Sequence, residues 1–477
     1  MERWLAATID YLPRWLEHQM RLTEQPGCVI AIAHRGRTVL EQAYGHADLD
    51  RGLALTPRHR FRVASHSKSF TAAGVLKLRE RGALGLDDRV DRYVGGLHPR
   101  VGAATLNQLL SHTAGLVRDG ADAGQWCDRR PFLDEAALRA DLASGPVIDP
   151  NTRFKYSNHG YGLLGLAIEA ITGERYRDWI AREIIAAAGL DETAPDAPIP
   201  PNTPFARGHS SKLPLGRRVV IPDENPTHAL APATGFVSTA RDLARFFSSL
   251  LPQARQSGLG LESRREMMRR QWRDPHSSLA RWYGLGTICG TLGEWDWCGH
   301  SGGFQGCVTR TLNVPSRHLT VSVLTNAADG LAHAWLEGAL HLLAAHEREG
   351  APSRRTSAWT GRWWSLWGAV DLLPMTDKVL VANPALANPV QDASEIAPEG
   401  GRRNGVANGR IALAGGYASH GEAARMHFDG RGRATTVWLG GTELVAESRA
   451  ARELGRRYPT ASVERPAAPP PRRIRRR

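Results

Sequence analysis

Apolar residues recur at helical spacing between Trp4 and Leu22, at Trp4, Leu5, Ile9, Leu12, Trp15 and Leu16. This predicts an amphipathic helix. From Gly27 the pattern changes. Cys28-Val29-Ile30-Ala31-Ile32-Ala33 is continuously apolar, Arg35-Gly36-Arg37 supplies a turn, and Thr38-Val39-Leu40 returns, so residues 27–44 read as a β-hairpin. A short extended stretch, Phe61 to Ala64, precedes an apolar run with helical spacing from Phe70 to Leu78. Residues 83–117 carry turns and a helix, and residues 134–143 and 161–188 are helical in pattern. The proline-rich stretch 194–232 lacks periodicity and reads as a long surface loop of the kind that forms lids. Thr239 and Asp242, three apart, resemble a capping box opening a helix through Leu250. Gly302 to Asn326 reads as a second hairpin, turning at Asn313-Val314-Pro315-Ser316, and Leu331 to His346 as an apolar-faced helix.

A helix–hairpin start and a hairpin–helix finish can close one antiparallel sheet. The expected fold is therefore α+β: an antiparallel sheet flanked by helices, with a mostly helical insert. Residues 347–357 read as a linker. Beyond them, residues 358–455 have short apolar runs, frequent glycine and turns such as Asp429-Gly430-Arg431-Gly432, the pattern of a small all-β barrel. Trp359, Trp363, Trp364 and Trp367 at its start read as barrel core. The expected domains are residues 1–350, the all-β residues 356–458, and a basic tail, residues 459–477, read as disordered.

Composition adjusts this picture in three places. The 477 residues suit two domains. The net charge of +13 is not a nucleic-acid signature, because residues 465–477, with six arginines and no acid, carry six of the thirteen net charges and the rest are spread out. No dedicated nucleic-acid site is expected. The cysteines are five (Cys28, Cys127, Cys289, Cys298, Cys307), few and odd in number, so no disulfide framework is implied. No apolar run is long enough to span a bilayer, and Met1-Glu2-Arg3-Trp4-Leu5 does not open a secretory signal. The chain reads as cytoplasmic and soluble.

Candidate chemistry centres on Ser65-His66-Ser67-Lys68, where an extended stretch hands over to a buried helix. Backbone N–H groups are free at such a helix start, and Lys68 lies one turn from Ser65 on the same face. The composition gives that lysine weight. The chain holds only Lys68, Lys77, Lys155, Lys212 and Lys378 among 61 Lys+Arg, and arginine cannot give up its proton, whereas buried lysine can. Lys68→Arg is accordingly expected to abolish the amine's base chemistry with the fold intact. In Phe154-Lys155-Tyr156-Ser157-Asn158, Tyr156 is a candidate base or relay and Asn158 a hydrogen-bonding partner for the lysine and a substrate amide. In Cys298-Gly299-His300-Ser301-Gly302-Gly303, the glycines permit close backbone approach and His300 places a titratable group on the rim. His66 reads as packing under the helix. Cys298, His300 and Cys307 lack a Cys-x-x-Cys pair and a fourth ligand, so neither zinc nor any other cofactor is expected.

Ser65-x-x-Lys68, Tyr156-x-Asn158 and His300-x-Gly302, in that order, resemble the serine hydrolases related to class C β-lactamases. That family includes DD-carboxypeptidases, D-aminopeptidases and certain esterases. Leu110-Ser111-His112-Thr113-Ala114-Gly115-Leu116 and Gly235 to Leu243 are similar to it as well, and the resemblance spans about residues 20–345. It implies that Ser65 forms an acyl-enzyme, that Lys68 and Tyr156 handle protons, and that N–H groups of Ser65 and Gly303 hold the oxyanion. The third motif departs from the Lys-Thr-Gly of class C β-lactamases. His-x-Gly resembles the D-aminopeptidases and some DD-peptidases, so efficient β-lactam hydrolysis is not expected. The implied function is hydrolysis of a small amide or ester, at a D-amino acid or short peptide. The alternatives are a promiscuous esterase and a non-catalytic homologue that binds or assembles through the fold. A homo-oligomer is compatible with each.

Overall fold

The computed structural model describes residues 1–222, 225–273, 281–415 and 419–459. Two compact units emerge, one of Thr8–Leu343 and one of Met1–Ala7 with the chain from Ala344.

The larger unit is organised by the apolar run Gly27–His34, buried along its whole length. A strand covered on both faces is the place for such a run. It pairs antiparallel with Arg37–Asp48 on one side and with Leu319–Thr325 on the other. The register sets Ile30 opposite Val323 and Ile32 opposite Val321. The first and last hairpins thus share one sheet. Among the described residues it has nine strands, running from Leu53–Ala54 through Gly27–His34 and Leu319–Thr325 to Cys307–Val314, Trp295–Phe304, Ile288–Leu292 and a short edge. The helix Ala240–Ser249 lies against the two central strands, and Ser248 Oγ donates to Thr320 Oγ1 at 2.8 Å. Between sheet segments, residues 64–249 form the mostly helical insert. Its core includes Phe70, stacked on Phe236 (4.5 Å) and Phe246 (3.9 Å).

The fold class is as expected, but several local readings change. The segment 161–188 is helical with a break. Asn158–Thr172 ends at Gly173, whose φ of +70° suits glycine, and the chain resumes at Tyr176–Ile180. The stretch 194–232 is a surface loop only in part, as at the exposed Leu213 and Leu215. Ala206, His209, Thr227, Leu230 and Ala231 are buried. Its backbone finds partners without periodic structure, as where the Asp196 carboxylate accepts from Thr227 N and His228 N. The capping box at Thr239 is half made. Thr239 Oγ1 accepts from Asp242 N, whereas the Asp242 carboxylate is taken by Glu192 N and Thr193 Oγ1. Gly302 belongs to the strand Trp295–Phe304, which precedes the second hairpin. Cys289 and Cys298 lie opposite each other on neighbouring strands and form a disulfide. The cysteine count concealed this pair because cross-strand register decides it.

In the smaller unit, the strands from Gly361–Ser365 to Thr442–Val445 form a closed antiparallel barrel, sealed where Trp364 pairs with Val445. Trp359 and Trp363 fill its core, while Trp367 lies on the turn after Ser365 and is 95% exposed. The all-β reading missed the helix Glu447–Arg457 that follows the last strand. The tail from residue 460 lies outside the described residues.

Candidate active site

The serine is presented by a strained turn. Ala64 sits at φ +47°, a conformation that costs a residue with a Cβ about 1 kcal/mol or more. Three hydrogen bonds hold it. Ser67 Oγ donates to the Ala64 carbonyl at 2.5 Å and accepts from Phe236 N at 3.0 Å, and the Val63 carbonyl accepts from the His66 ring at 2.9 Å. The 3₁₀ turn Ala64–His66 then feeds the helix Ser67–Glu80. Every residue from Phe61 to Phe70 is buried except Ser65, which opens to a pocket.

That pocket has a volume of about 370 Å³. Ser65, Tyr156 and Asn158 line it, with Ile288, His300, Ser301 and Gly303 on one side and Arg118, Asp119 and Trp126 on the other. Lys68 is buried behind the serine. Its Nζ lies 3.1 Å from Ser65 Oγ and donates to Asn158 Oδ1 at 2.7 Å and to the Ala233 carbonyl at 2.8 Å. Burial holds the Lys68 amine well below its ordinary pKa; the Asp119 carboxylate opposes this shift and the Arg118 guanidinium adds to it. Burial raises the Tyr156 phenol far above the ordinary value, and the Ser65 hydroxyl opposes the shift. The Lys68 ammonium position lies 4.7 Å from the Tyr156 ring centre.

Asn158 is fixed from both ends. Its Nδ2 donates to Asp119 Oδ1 at 2.6 Å while its Oδ1 accepts from Lys68. Asp119 also accepts from Trp126 Nε1 at 3.0 Å and pairs with Arg118 at 3.0 Å. None of Arg118, Asp119 and Trp126 stood out in the sequence; the only signal was their place just after Leu116.

His300 is not on a rim but buried. Its Nε2 lies 3.0 Å from the Tyr283 hydroxyl and its Nδ1 2.7 Å from the Ser301 carbonyl oxygen. Burial, with His66 and Lys68 nearby, drives its pKa well below the usual histidine value. His66 is fully buried, its pKa pushed down to about 4 by desolvation, and its Nε2 lies 3.1 Å from Thr311 Oγ1. It is an uncharged strut between turn and sheet. Gly302 does not line the pocket. A Cβ there would lie 2.1 Å from the Val63 carbonyl, so this glycine lets the strand approach the serine turn; at Gly303 a Cβ would meet nothing within 4 Å. Cys298 is bonded to Cys289, so the Cys298–His300–Cys307 group has lost one thiol.

A family model described as Beta-lactamase matches residues 12–345. The chain belongs to the β-lactamase family. Among curated relatives, penicillin-binding protein 4* of Bacillus subtilis (strain 168) is 35% identical over 170 residues, 35% of this chain and 37% of that protein. The chain spans little more than a third of the length of the curated relatives it matches. Among solved structures, the octameric penicillin-binding protein homologue from Pyrococcus abyssi superposes with a TM-score of 0.64 at 21% identity, covering 92% of this chain and 100% of that one. A D-stereospecific amidohydrolase from Streptomyces sp. superposes with a TM-score of 0.56 at 25% identity, covering 72% and 98%. No described helix of this β-lactamase-family chain is long and apolar enough to cross a membrane.

Proposed function

We propose that this member of the β-lactamase family is a serine hydrolase that works through an acyl-enzyme on small amides or esters, D-aminoacyl amides and short peptides first among them. Residues 1–350 form the hydrolase in this reading and residues 356–458 an appended barrel. The observation that carries it is the buried Lys68 amine at 3.1 Å from Ser65 Oγ. Desolvation favours the neutral amine, which is the form that accepts a proton.

Ser65 Oγ attacks the carbonyl carbon as its proton passes to Lys68 Nζ. The phenol of Tyr156, kept protonated by burial, relays a proton to the leaving amine or alkoxide, and the Lys68 proton replaces it. Backbone N–H groups of Ser65 and Gly303 stabilise the oxyanion. Water then attacks the ester by the reverse proton route and frees Ser65. Asn158 holds Lys68 on one side and presents its amide to the pocket. Because His300 is buried and neutral, the Trp295–Phe304 strand brings no cation to the pocket. This supports neutral amide or ester leaving groups over a terminal carboxylate.

A fluorophosphonate probe tests the reading. The wild-type chain is expected to take one label, on Ser65, and Ser65→Ala none; a wild type that takes none, and that hydrolyses neither D-alanine p-nitroanilide nor p-nitrophenyl acetate, would leave the binding-homologue alternative standing.

The pH profile tests the base. A neutral amine is required, so kcat/KM falls as pH drops through the lowered Lys68 pKa. The Asp119 charge holds that pKa up. Asp119→Asn is therefore expected to move the acid limb to lower pH; an unmoved or alkaline-shifted limb would detach Lys68 from it.

A further inference from the structure

We infer that His112 is a positioning residue for Tyr156, gripping the chain on both sides of the tyrosine. The inference rests on the hydrolase reading above and adds to it a residue that the proton route does not use.

Tyr156 stands on a stretch, residues 151–157, that has neither helix nor strand. Its placement depends on bonds to neighbouring chain. His112 supplies two of them. Its carbonyl accepts from Lys155 N at 2.8 Å, and its ring Nδ1 accepts from Ser157 N at 3.1 Å. These are the residues immediately before and after Tyr156. The ring also lies against the Tyr156 ring, with centres 4.2 Å apart and planes at 35°. One residue thus fixes the backbone before the tyrosine, the backbone after it, and the face of its ring.

His112 is itself held for this task. It follows the helix Leu106–Leu110, which Thr105 and Gln108 start with a reciprocal capping box. Its φ of +59° lies in the left-handed region, which turns carbonyl and ring toward the same neighbour strand of chain. Tyr283, Tyr161 and Phe154 pack round the ring at 4.7, 5.1 and 5.7 Å, and only 2% of the residue is exposed.

The chemistry of the ring agrees. A main-chain N–H can only donate, so Nδ1 must present its lone pair and the proton must sit on Nε2. A charged ring would carry a proton on Nδ1 and lose the Ser157 bond, and burial disfavours that charge. Among the described residues Nε2 has no hydrogen-bond partner. An aromatic hydrocarbon would pack there without leaving a buried N–H unpartnered. The imidazole is thus accounted for by its Nδ1 side, through the grip on Ser157.

The test uses the full chain with His112→Phe, His112→Ala and His112→Asn. Phenylalanine keeps a ring against Tyr156 but offers no acceptor. Asparagine tolerates positive φ and places a carbonyl oxygen near the Nδ1 position. Active sites are counted with the fluorophosphonate, so kcat refers to labelled molecules only, and D-alanine p-nitroanilide is the substrate. Displacing a reacting group by about 1 Å costs on the order of 100-fold. The expected result is a fall of about 30- to 100-fold in kcat per labelled site for the phenylalanine and alanine variants, with KM within about twofold of wild type, and recovery by the asparagine variant to within about fivefold. Should the phenylalanine variant not fold, His112→Gln replaces it, since glutamine carries no acceptor at the Nδ1 position, and the same loss is expected. Wild-type turnover per labelled site in the acceptor-less variants overturns the inference, as does an asparagine variant as slow as they are. A wild type that neither labels nor turns over overturns the hydrolase reading itself, a result distinct from both.

Discussion

Lys68→Met is expected to abolish acylation while the chain still folds: kcat/KM falls by about 10³-fold or more, the range seen when a positioned proton acceptor is lost. Methionine has similar length and no charge, which suits a site with no solvent exposure. It leaves Asn158 Oδ1 and the Ala233 carbonyl without the Lys68 donor. Each unmet group costs about 1–3 kcal/mol, so a lower midpoint of thermal unfolding accompanies the loss of activity. Lys68→Arg is expected to lose activity and more stability still. The sequence suggested that arginine would leave the fold intact. The structure argues otherwise, because the larger fork enters a filled space and cannot shed its charge. Near-normal turnover in the methionine variant would remove lysine from the mechanism.

Gly302→Ala is expected to cost about 2–3 kcal/mol, the scale of overpacking in a close-packed core, and to reduce turnover strongly. Its Cβ would press 2.1 Å from the Val63 carbonyl and 2.6 Å from Thr309 Oγ1. Val63 carries the His66 hydrogen bond that braces the serine turn, so strand and nucleophile move apart together. Gly303→Ala, one residue on, has open space for its methyl group and is expected to unfold within about 0.5 kcal/mol of wild type. Denaturant unfolding of the pair decides the matter. Equal stabilities would mean that the strand yields at Gly302, and the account of that glycine as a spacer would fail.

The sheet was legible because the run 28–33 is apolar without interruption and Leu319–Thr325 alternates apolar residues with Thr320 and Ser322. Gly27–His34 and the strand it meets from the far end of the chain are buried on both faces, so pattern alone located them. Ser65, Lys68, Tyr156 and Asn158 were legible because their spacing fits the chemistry and because lysine is scarce in this chain. Asp119 and Trp126 were not, since they act through side chains that converge only after the turn at Leu116 folds back on the Asn158 helix. Tyr283 reaches His300 from a neighbouring part of the sheet, a contact with no local signature. The burial of Ala206, His209, Thr227, Leu230 and Ala231 was hidden for a related reason: Thr227 N and His228 N are satisfied by the distant Asp196 carboxylate rather than by a repeating ladder. His112 was visible as a letter in a family-like stretch, but its grip on Ser157 depends on a positive φ that no spacing reveals.

Burial presses Lys68, His66, His112 and His300 toward uncharged forms, and Arg118 and Asp119, which line the pocket, form an ion pair with each other. A molecule arriving from solution therefore meets a cleft that exerts little net pull by charge, despite the strongly basic surface of the chain as a whole. In the proposed hydrolase, discrimination among substrates falls to shape and to the directionality of neutral donors and acceptors. Capture in such a cleft is set by ordinary diffusion and fit, and added salt has little to screen there.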